Sequence, residues 1–391
     1  MSTLKELLKD VPVEWKKLWE VTIWDKKFNS VQKGKQTKVI SHKYLLAAEL
    51  FELEDSKGNV FLLSTGEKSG FTTIEKAGDY LREGEIVSIP WGKSRPVIDV
   101  LKYYKGLYIT ADNRIATSID TEVLLNKYLF YWLQTQADLI DSFYRGSGIK
   151  HPSMSDVLDM LIPIPPIKSQ QEIVRVLDSL SEQNKVLTTA LAKEIDQRKK
   201  QYAYYREELF RFEGKEVEWN ELKSIFDIRR GKRLIKSELL PSGKYAVFQN
   251  SMTALGYYDE FNVKSDTAFI ISAGSAGEIG YSNIDFWAAD DVYYFEKSDN
   301  IRSKFLYYFL LNKKTHLSKQ VRRSSVPRLS KTSFEKYSMP IPSLHEQERI
   351  VRLLDQFDET TKNIVAQLEN EIELRNKQYE YYRNLLLRFP N

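Results

Sequence analysis

Apolar residues recur at steps of four and three along two stretches that lack proline and glycine, from about 168 to 212 and from about 345 to 389. The first seam runs Ile173, Leu177, Leu180, Asn184, Leu187, Leu191, and the second Ile350, Leu354, Phe357, Thr361, Ile364, Leu368. Such spacing predicts coiled-coil helices, each roughly 65 Å long at 1.5 Å per residue. After Leu191 and Leu368 a further step of four leads to Ile195 and Ile372. The seams then resume through Arg198, Tyr202, Tyr205, Leu209 and through Arg375, Tyr379, Tyr382, Leu386. That insertion resembles a stutter, and Asn184 and Thr361 are candidate polar register positions. Two separate amphipathic helices lying on domain cores are the alternative, but both stretches exceed the roughly 8–20 residues usual for a globular helix.

Elsewhere the pattern is mixed. Short β-branched and aromatic runs predict strands at 60–64, 86–89, 107–110, 246–248, 268–272 and 292–295, separated by glycine-containing loops. Helical periodicity returns at 124–144 and 303–319. The fold class expected is therefore α/β (α+β) globular segments joined to two long helices. The expected boundaries are a first domain at 1–162, a helix at 163–212, a second domain at 213–339 and a helix at 340–391.

The two halves repeat one another. Residues 163–212 and 340–389 align without a gap at an offset of 177, with 24 identities in 50 positions. Both begin PIPx4Qx2IVRxLD and end KQYxYYRx2LxRF. The same offset relates KYLFYWL at 127–133 to KFLYYFL at 304–310. VEWxxL at 13–18 and 217–222, and Ala111-Asp112-Asn113 beside Ala289-Asp290-Asp291, suggest that the globular segments are diverged copies. Duplication on this scale predicts pseudo-two-fold symmetry. It also predicts antiparallel helices, with the N-terminal segment, whose Glu6-Leu7-Leu8 precedes VEW as Glu208-Leu209-Phe210 does in copy two, returning beside the end of the last helix near Leu386–Phe389.

Composition narrows the chemistry. Cysteine is absent, which excludes disulfides and thiolate zinc sites and points to the cytoplasm. There is neither a signal-peptide pattern nor an apolar run long enough to span a membrane. Net charge is only +4; residues 1–162 balance 22 basic against 22 acidic, while 213–339 hold 20 and 16. A nucleic-acid partner would therefore meet local clusters and not a strongly positive body. No Walker A loop, GxSxG elbow or N/D-P-P-F/Y/W tetrapeptide occurs, and the four histidines are scattered. No catalytic or metal residue is assigned.

The candidate binding residues sit in polar loops. Arg145, Lys150 and His151 occupy one loop, and Arg322, Arg323 and Arg328 the equivalent loop of the second copy. Cations beside glycine and serine suit phosphate and base-edge contact, although a solvated loop has the same composition. Arg229, Arg230, Lys232 and Arg233 form a second cluster, and Trp91, Lys93 and Arg95 a third. Gln249 and Asn250 carry the amides that pair with adenine. The repeated Tyr202, Tyr205, Arg206 and Tyr379, Tyr382, Arg383 serve either helix packing or partner docking.

PIPPIKSQQEIV and PIPSLHEQERIV, each closing a variable segment and opening a long helix, resemble the specificity (S) subunits of type I restriction–modification systems. Copy one departs slightly, with Ser169 where the family commonly has Glu and copy two has Glu346. The resemblance implies a non-catalytic recognition subunit in which each globular domain reads one half of a bipartite double-stranded DNA target. It implies half-sites about one helical turn apart. It also implies that the helices bind two methylation (M) subunits, which carry S-adenosylmethionine, and that restriction (R) subunits complete the nuclease. A bivalent coiled-coil scaffold for two proteins is the rival from another class.

Overall fold

Proline at each repeat boundary decides where the long helices begin, because it disfavours helix in the residue before it. In the computed structural model the helices start right after those prolines. The structure describes residues 11–389 apart from His42, Lys93, Ser94 and Lys215, and leaves the Lys236 side chain undescribed. Four helices frame the molecule: α1 (Asn126–Thr135), α2 (Ile167–Leu209), α3 (Ser303–Asn312) and α4 (Leu344–Leu386). Each boundary of α3 and α4 is that of α1 and α2 moved by 177, so the repeat in sequence is a repeat in structure. None of the described helices is long and apolar enough to cross a membrane.

The chain divides into two units, one holding residues up to 188 and from 373 onward, the other residues 189–372. In the first unit, Ile173 and Leu177 from the start of α2 share a core with Leu386, Leu387 and Phe389 from the end of α4. In the second, Ile350 and Leu354 from the start of α4 share a core with Phe210 and Phe212, which follow the end of α2. Start meets end in both cores, so the helices run antiparallel, as the duplication predicts. The seam differs from expectation at Leu187, Tyr205 and Phe357, all of which are exposed. Leu187 is exposed and Thr188 takes the covered position, so the extra step of four falls before Leu191. Asn184 does act across the seam, donating to Asn376 at 2.9 Å.

The first unit opens with β1 (Glu14–Lys17) and β2 (Thr22–Trp24). Next come β3 (Val60–Leu63), β4 (Gly70–Thr72), β5 (Arg82–Pro90), β6 (Lys102–Thr110) and β7 (Asn113–Ser118). The short strands β8 (Tyr144–Arg145) and β9 (His151–Pro152) form a hairpin, and β10 (Leu161–Ile164) closes the domain. A six-stranded sheet has the order β2-β7-β5-β6-β3-β4. The VEW strand β1 pairs antiparallel with the PIP strand β10, Trp15 opposite Pro163. A two-stranded ribbon tolerates proline because an outward-facing N–H is not needed there. Val13, Trp15, Leu18 and Trp19 lie in the same core as Leu386 at the end of α4. Glu6-Leu7-Leu8, which the repeat also matches, lies outside the described residues.

In the second unit β11 (Glu218–Glu221) is followed by β12 (Ile228–Arg230), β13 (Tyr245–Phe248), β14 (Gly256–Tyr258) and β15 (Thr267–Ile271). The rest are β16 (Ile279–Ser282), β17 (Trp287–Ala288), β18 (Val292–Phe295) and β19 (Ser338–Ile341). The ribbon recurs as β11 with β19, Trp219 opposite Pro340. Four strands have the order β12-β18-β15-β16 and three the order β14-β13-β17. Strand by strand this is the topology of the first domain with one change. The single strand β6 corresponds to β16 and β17, and the break after Ser282 divides one sheet into two. The globular segments are diverged copies, as their short anchors suggested.

Two buried polar clamps explain why the boundary motif repeats. Gln170 is fully buried; it accepts from the Leu125 N–H at 3.0 Å and donates to the Val123 and Pro165 carbonyls at 2.8 and 2.9 Å. Gln347 does the same with the Arg302 N–H and the Asn300 and Pro342 carbonyls, at 2.8, 2.8 and 2.9 Å. One side chain thus ties the end of the PIP strand to the start of the preceding helix. Asp178 then holds Lys127 at 2.8 Å and the Tyr131 hydroxyl at 2.6 Å, as Asp355 holds Lys304 at 2.8 Å and Tyr308 at 2.5 Å. Gln170 and Asp178, and their identical copies Gln347 and Asp355, lock each domain onto its helix.

Candidate nucleic-acid interface

In the first domain the hairpin β8–β9 folds over the turn that follows β5. Its register pairs Arg145 with His151. The Tyr144 hydroxyl anchors it by donating to the Pro90 carbonyl at 2.6 Å. The His151 ring stacks on Trp91, with centroids 3.9 Å apart and planes at 24°. Gly92 lies close under the hairpin, where a Cβ would stand 2.6 Å from the Ile149 side chain. Trp91, Arg145 and His151 therefore share one site, with Lys150 exposed on the same hairpin. Arg145 is exposed and pairs with Asp156 at 3.1 Å, and Arg95 pairs with Glu67 on the surface. Lys93 and Ser94 lie outside the described residues.

Sequence reasoning missed the residue beneath this site. Arg114 on β7 is buried, with its guanidinium 4.0 Å from the Trp91 ring and 5.5 Å from Phe28. It pairs with Asp112 at 2.9 Å, while its Nε has no partner among the described residues. Asp25 is buried beside it, accepts from the Ile115 N–H at 3.2 Å, and has its carboxyl pushed up to about 6 by burial, against the opposing pull of Arg114. Nothing local in NRIATS marks Arg114, because the rings that cover it, Phe28 and Trp91, lie far away in sequence. The loop after β3 was missed too. Lys102 reaches across to donate to the Ser64 hydroxyl at 2.8 Å and carbonyl at 2.9 Å, and burial brings its pKa down to about 8.

The second domain gathers its candidates at the corresponding edge. Arg322 and Arg328 pair through backbone bonds of 2.9 and 3.1 Å, at the positions of Arg145 and His151 moved by 177. Arg328 also bridges to Ala273, and Gly274 donates to the Pro327 carbonyl at 3.1 Å. Gly274 has φ of +75° and packs on Asn250, whose carbonyl accepts from Ser275 at 2.8 Å. Gln249 is half-buried and Asn250 exposed at the end of β13. Ser272 donates to the Asp291 carbonyl, and the Arg230 Nε donates to that of Asp290. Lys232 is joined through its backbone to Ala288 and to the Trp287 indole. Arg323 and Arg233 are exposed. Arg229 stands apart: strand alternation turns it to the face opposite Arg230, where Asp227 at 2.8 Å and Glu296 at 3.0 Å hold it.

The tyrosine-rich helix ends pack inside their own units. Tyr202 is largely covered and its hydroxyl has no bonding partner among the described residues. Arg206 donates to the Asn312 side chain at 2.7 Å, and Tyr205 stacks on Phe357 with centroids 5.4 Å apart. Tyr379 and Arg383 are covered in the same way, and Tyr382 is half-buried. Tyr204, Tyr205 and Tyr381 keep exposed faces.

This duplicated arrangement has relatives. Residues 39–197 and 215–374 each match the type I restriction modification DNA specificity domain. The chain is 30% identical over 421 residues to the EcoR124I/EcoR124II specificity subunit of Escherichia coli, covering 100% of this chain and 98% of that one. It is also 30% identical to a putative type I restriction enzyme specificity subunit of Haemophilus influenzae, covering 79% of this chain and 84% of that protein. A chain solved in a study of assembly and conformational transition of the type I R-M system superimposes with a TM-score of 0.71 at 16% identity, covering 97% and 98% of the two chains. With two copies of that domain on two long helices, the chain belongs to the specificity subunits of type I restriction–modification systems, and its globular segments are two target-recognition domains.

Proposed function

We propose that each domain reads one half of a bipartite duplex target and that the paired helices dock two methylation subunits through their tyrosine-rich ends. The observation that carries this reading is the pair of hairpins, 145–151 and 322–328. They stand at matched positions on a matched frame, yet they carry different side chains. A frame that repeats exactly while its edges diverge suits two readers of different sequences.

The chain itself is non-catalytic in this reading. S-adenosylmethionine and the methyl-transfer chemistry belong to the methylation subunits, restriction subunits add cleavage, and the complex works on DNA in the cytoplasm. Exposed Lys150, Lys232, Arg233 and Arg323 suit phosphates, since their side chains have no carboxylate partner among the described residues. Gln249 suits adenine. Gln249→Ala is expected to relax one position of one half-site, at a cost of about 1–3 kcal/mol. Methylation-motif mapping with the methylation subunits present reads this out. Relaxation in both half-sites, or methyl transfer by the purified chain alone, contradicts the proposal.

A further inference from the structure

The two hairpins differ at a position that their shared register makes equivalent: His151 faces Arg145 where Arg328 faces Arg322. His151 is held twice. Its ring lies flat on Trp91, and its Nδ1 is 3.0 Å from the Trp91 carbonyl oxygen. A carbonyl oxygen only accepts, so Nδ1 carries the hydrogen and the bare nitrogen of the neutral ring is Nε2. No other described residue bonds the ring. The Arg114 guanidinium lies over the Trp91 ring at 4.0 Å, and Asp112 holds Arg114 at 2.9 Å. The Trp91 ring sets the plane of the imidazole, and the Trp91 carbonyl selects the Nδ1–H tautomer of the neutral ring.

We propose that His151 is a specificity-determining residue of the first domain, presenting Nε2 as a hydrogen-bond acceptor to the exocyclic amino group of adenine or cytosine. The inference rests on the reading that this hairpin faces DNA. A neutral imidazole whose N–H is already engaged has nothing to donate to a phosphate oxygen or to guanine O6 and N7, which are all acceptors. The amino groups of adenine and cytosine are the donors of the major groove. Lys150 already supplies an exposed cation for phosphates on the same hairpin. Arg328 is a donor only, and it suits guanine. The same structural position thus carries an acceptor in one domain and a donor in the other.

The test uses the full chain assembled with its methylation subunits and a library of duplexes with randomised bases. His151→Arg is expected to shift one base pair of one half-site from adenine or cytosine toward guanine, changing the preference roughly tenfold to hundredfold. The other half-site keeps its preference. His151→Gln retains an acceptor and keeps the original base with a weaker preference. Nitrogen-15 NMR of the histidines in the free chain is expected to report the Nδ1–H tautomer. An Nε2–H tautomer overturns the proposal. So does an unchanged preference in His151→Arg when Arg145→Ala/Lys150→Ala weakens binding to all sequences. If that double variant also leaves binding intact, the hairpin does not face DNA, and the broader reading fails with the proposal.

Discussion

The two recognition domains share a topology, and they place charge differently on it. The first domain carries Arg114 on β7, opposite Ile89 of β5, and the second carries Arg230 at the end of β12, opposite Tyr293 of β18. The first domain buries its arginine at 4% exposure under Trp91, beside a carboxylate that burial keeps hard to ionise. The second leaves Arg230 half exposed beside the Asp290–Asp291 turn. One domain uses its arginine as a platform, and the other leaves it at the edge. Backbone register survives this exchange because the clamps that fix it are elsewhere, at Gln170 and Gln347.

The largest expected effects test those clamps. Gln170→Ala strands one N–H and two carbonyls, and Gln347→Ala strands the matching three. Each loss is expected to cost its own unit about 3 kcal/mol in chemical denaturation. A large effect from one and none from the other breaks the equivalence of the frames.

Asp25 separates the two domains by pH. Its folded pKa lies above its unfolded value of 3.8, at about 6. Below pH 3.8 both states are protonated and the group contributes nothing. As pH rises toward 6 the unfolded state ionises first, so stability falls, and above 6 the penalty is constant. Asp25→Asn is expected to remove that slope and to stabilise the first unit at pH 7 by on the order of 2 kcal/mol. Urea melts of the wild type and the variant from pH 4 to 7 check this. An unchanged slope contradicts a buried Asp25.

Smaller effects follow at half-exposed sites. Asp178→Ala and Asp355→Ala each release a lysine and a tyrosine hydroxyl, and solvent screening limits the cost to about 1 kcal/mol each. Hydrogen exchange at α1 and α3 should register both. Smallest of all, Lys232→Ala is expected to weaken DNA binding uniformly and to lower the salt slope by about 0.9. A sequence-selective loss there makes Lys232 a base reader.

The frame was legible in the sequence because its signals are local and repeated. Alternating four-three steps give the helices, proline gives their starts, and ungapped identity gives antiparallel symmetry. The seam was misplaced at Leu187 because a leucine outranks a threonine in any apolar pattern, while the observed geometry covers Thr188. The break between β16 and β17 has no local stop signal that distinguishes it from a loop between strands. At the candidate interface, composition picked out the loops at 145–151 and 322–328 and the cation cluster. It missed Arg114 and Lys102, whose meaning depends on strands paired across tens of residues. It also grouped Arg229 with Arg230, although strand alternation sends them to opposite faces.

The most direct measurement replaces residues 1–162 with the recognition domain of another specificity subunit and maps methylation sites genome-wide with the methylation subunits present. Two independent readers on one frame predict that one half-site changes completely and the other is retained base for base. If both half-sites change together, or if the retained domain loses its sequence, the domains do not read separately and the central claim is wrong.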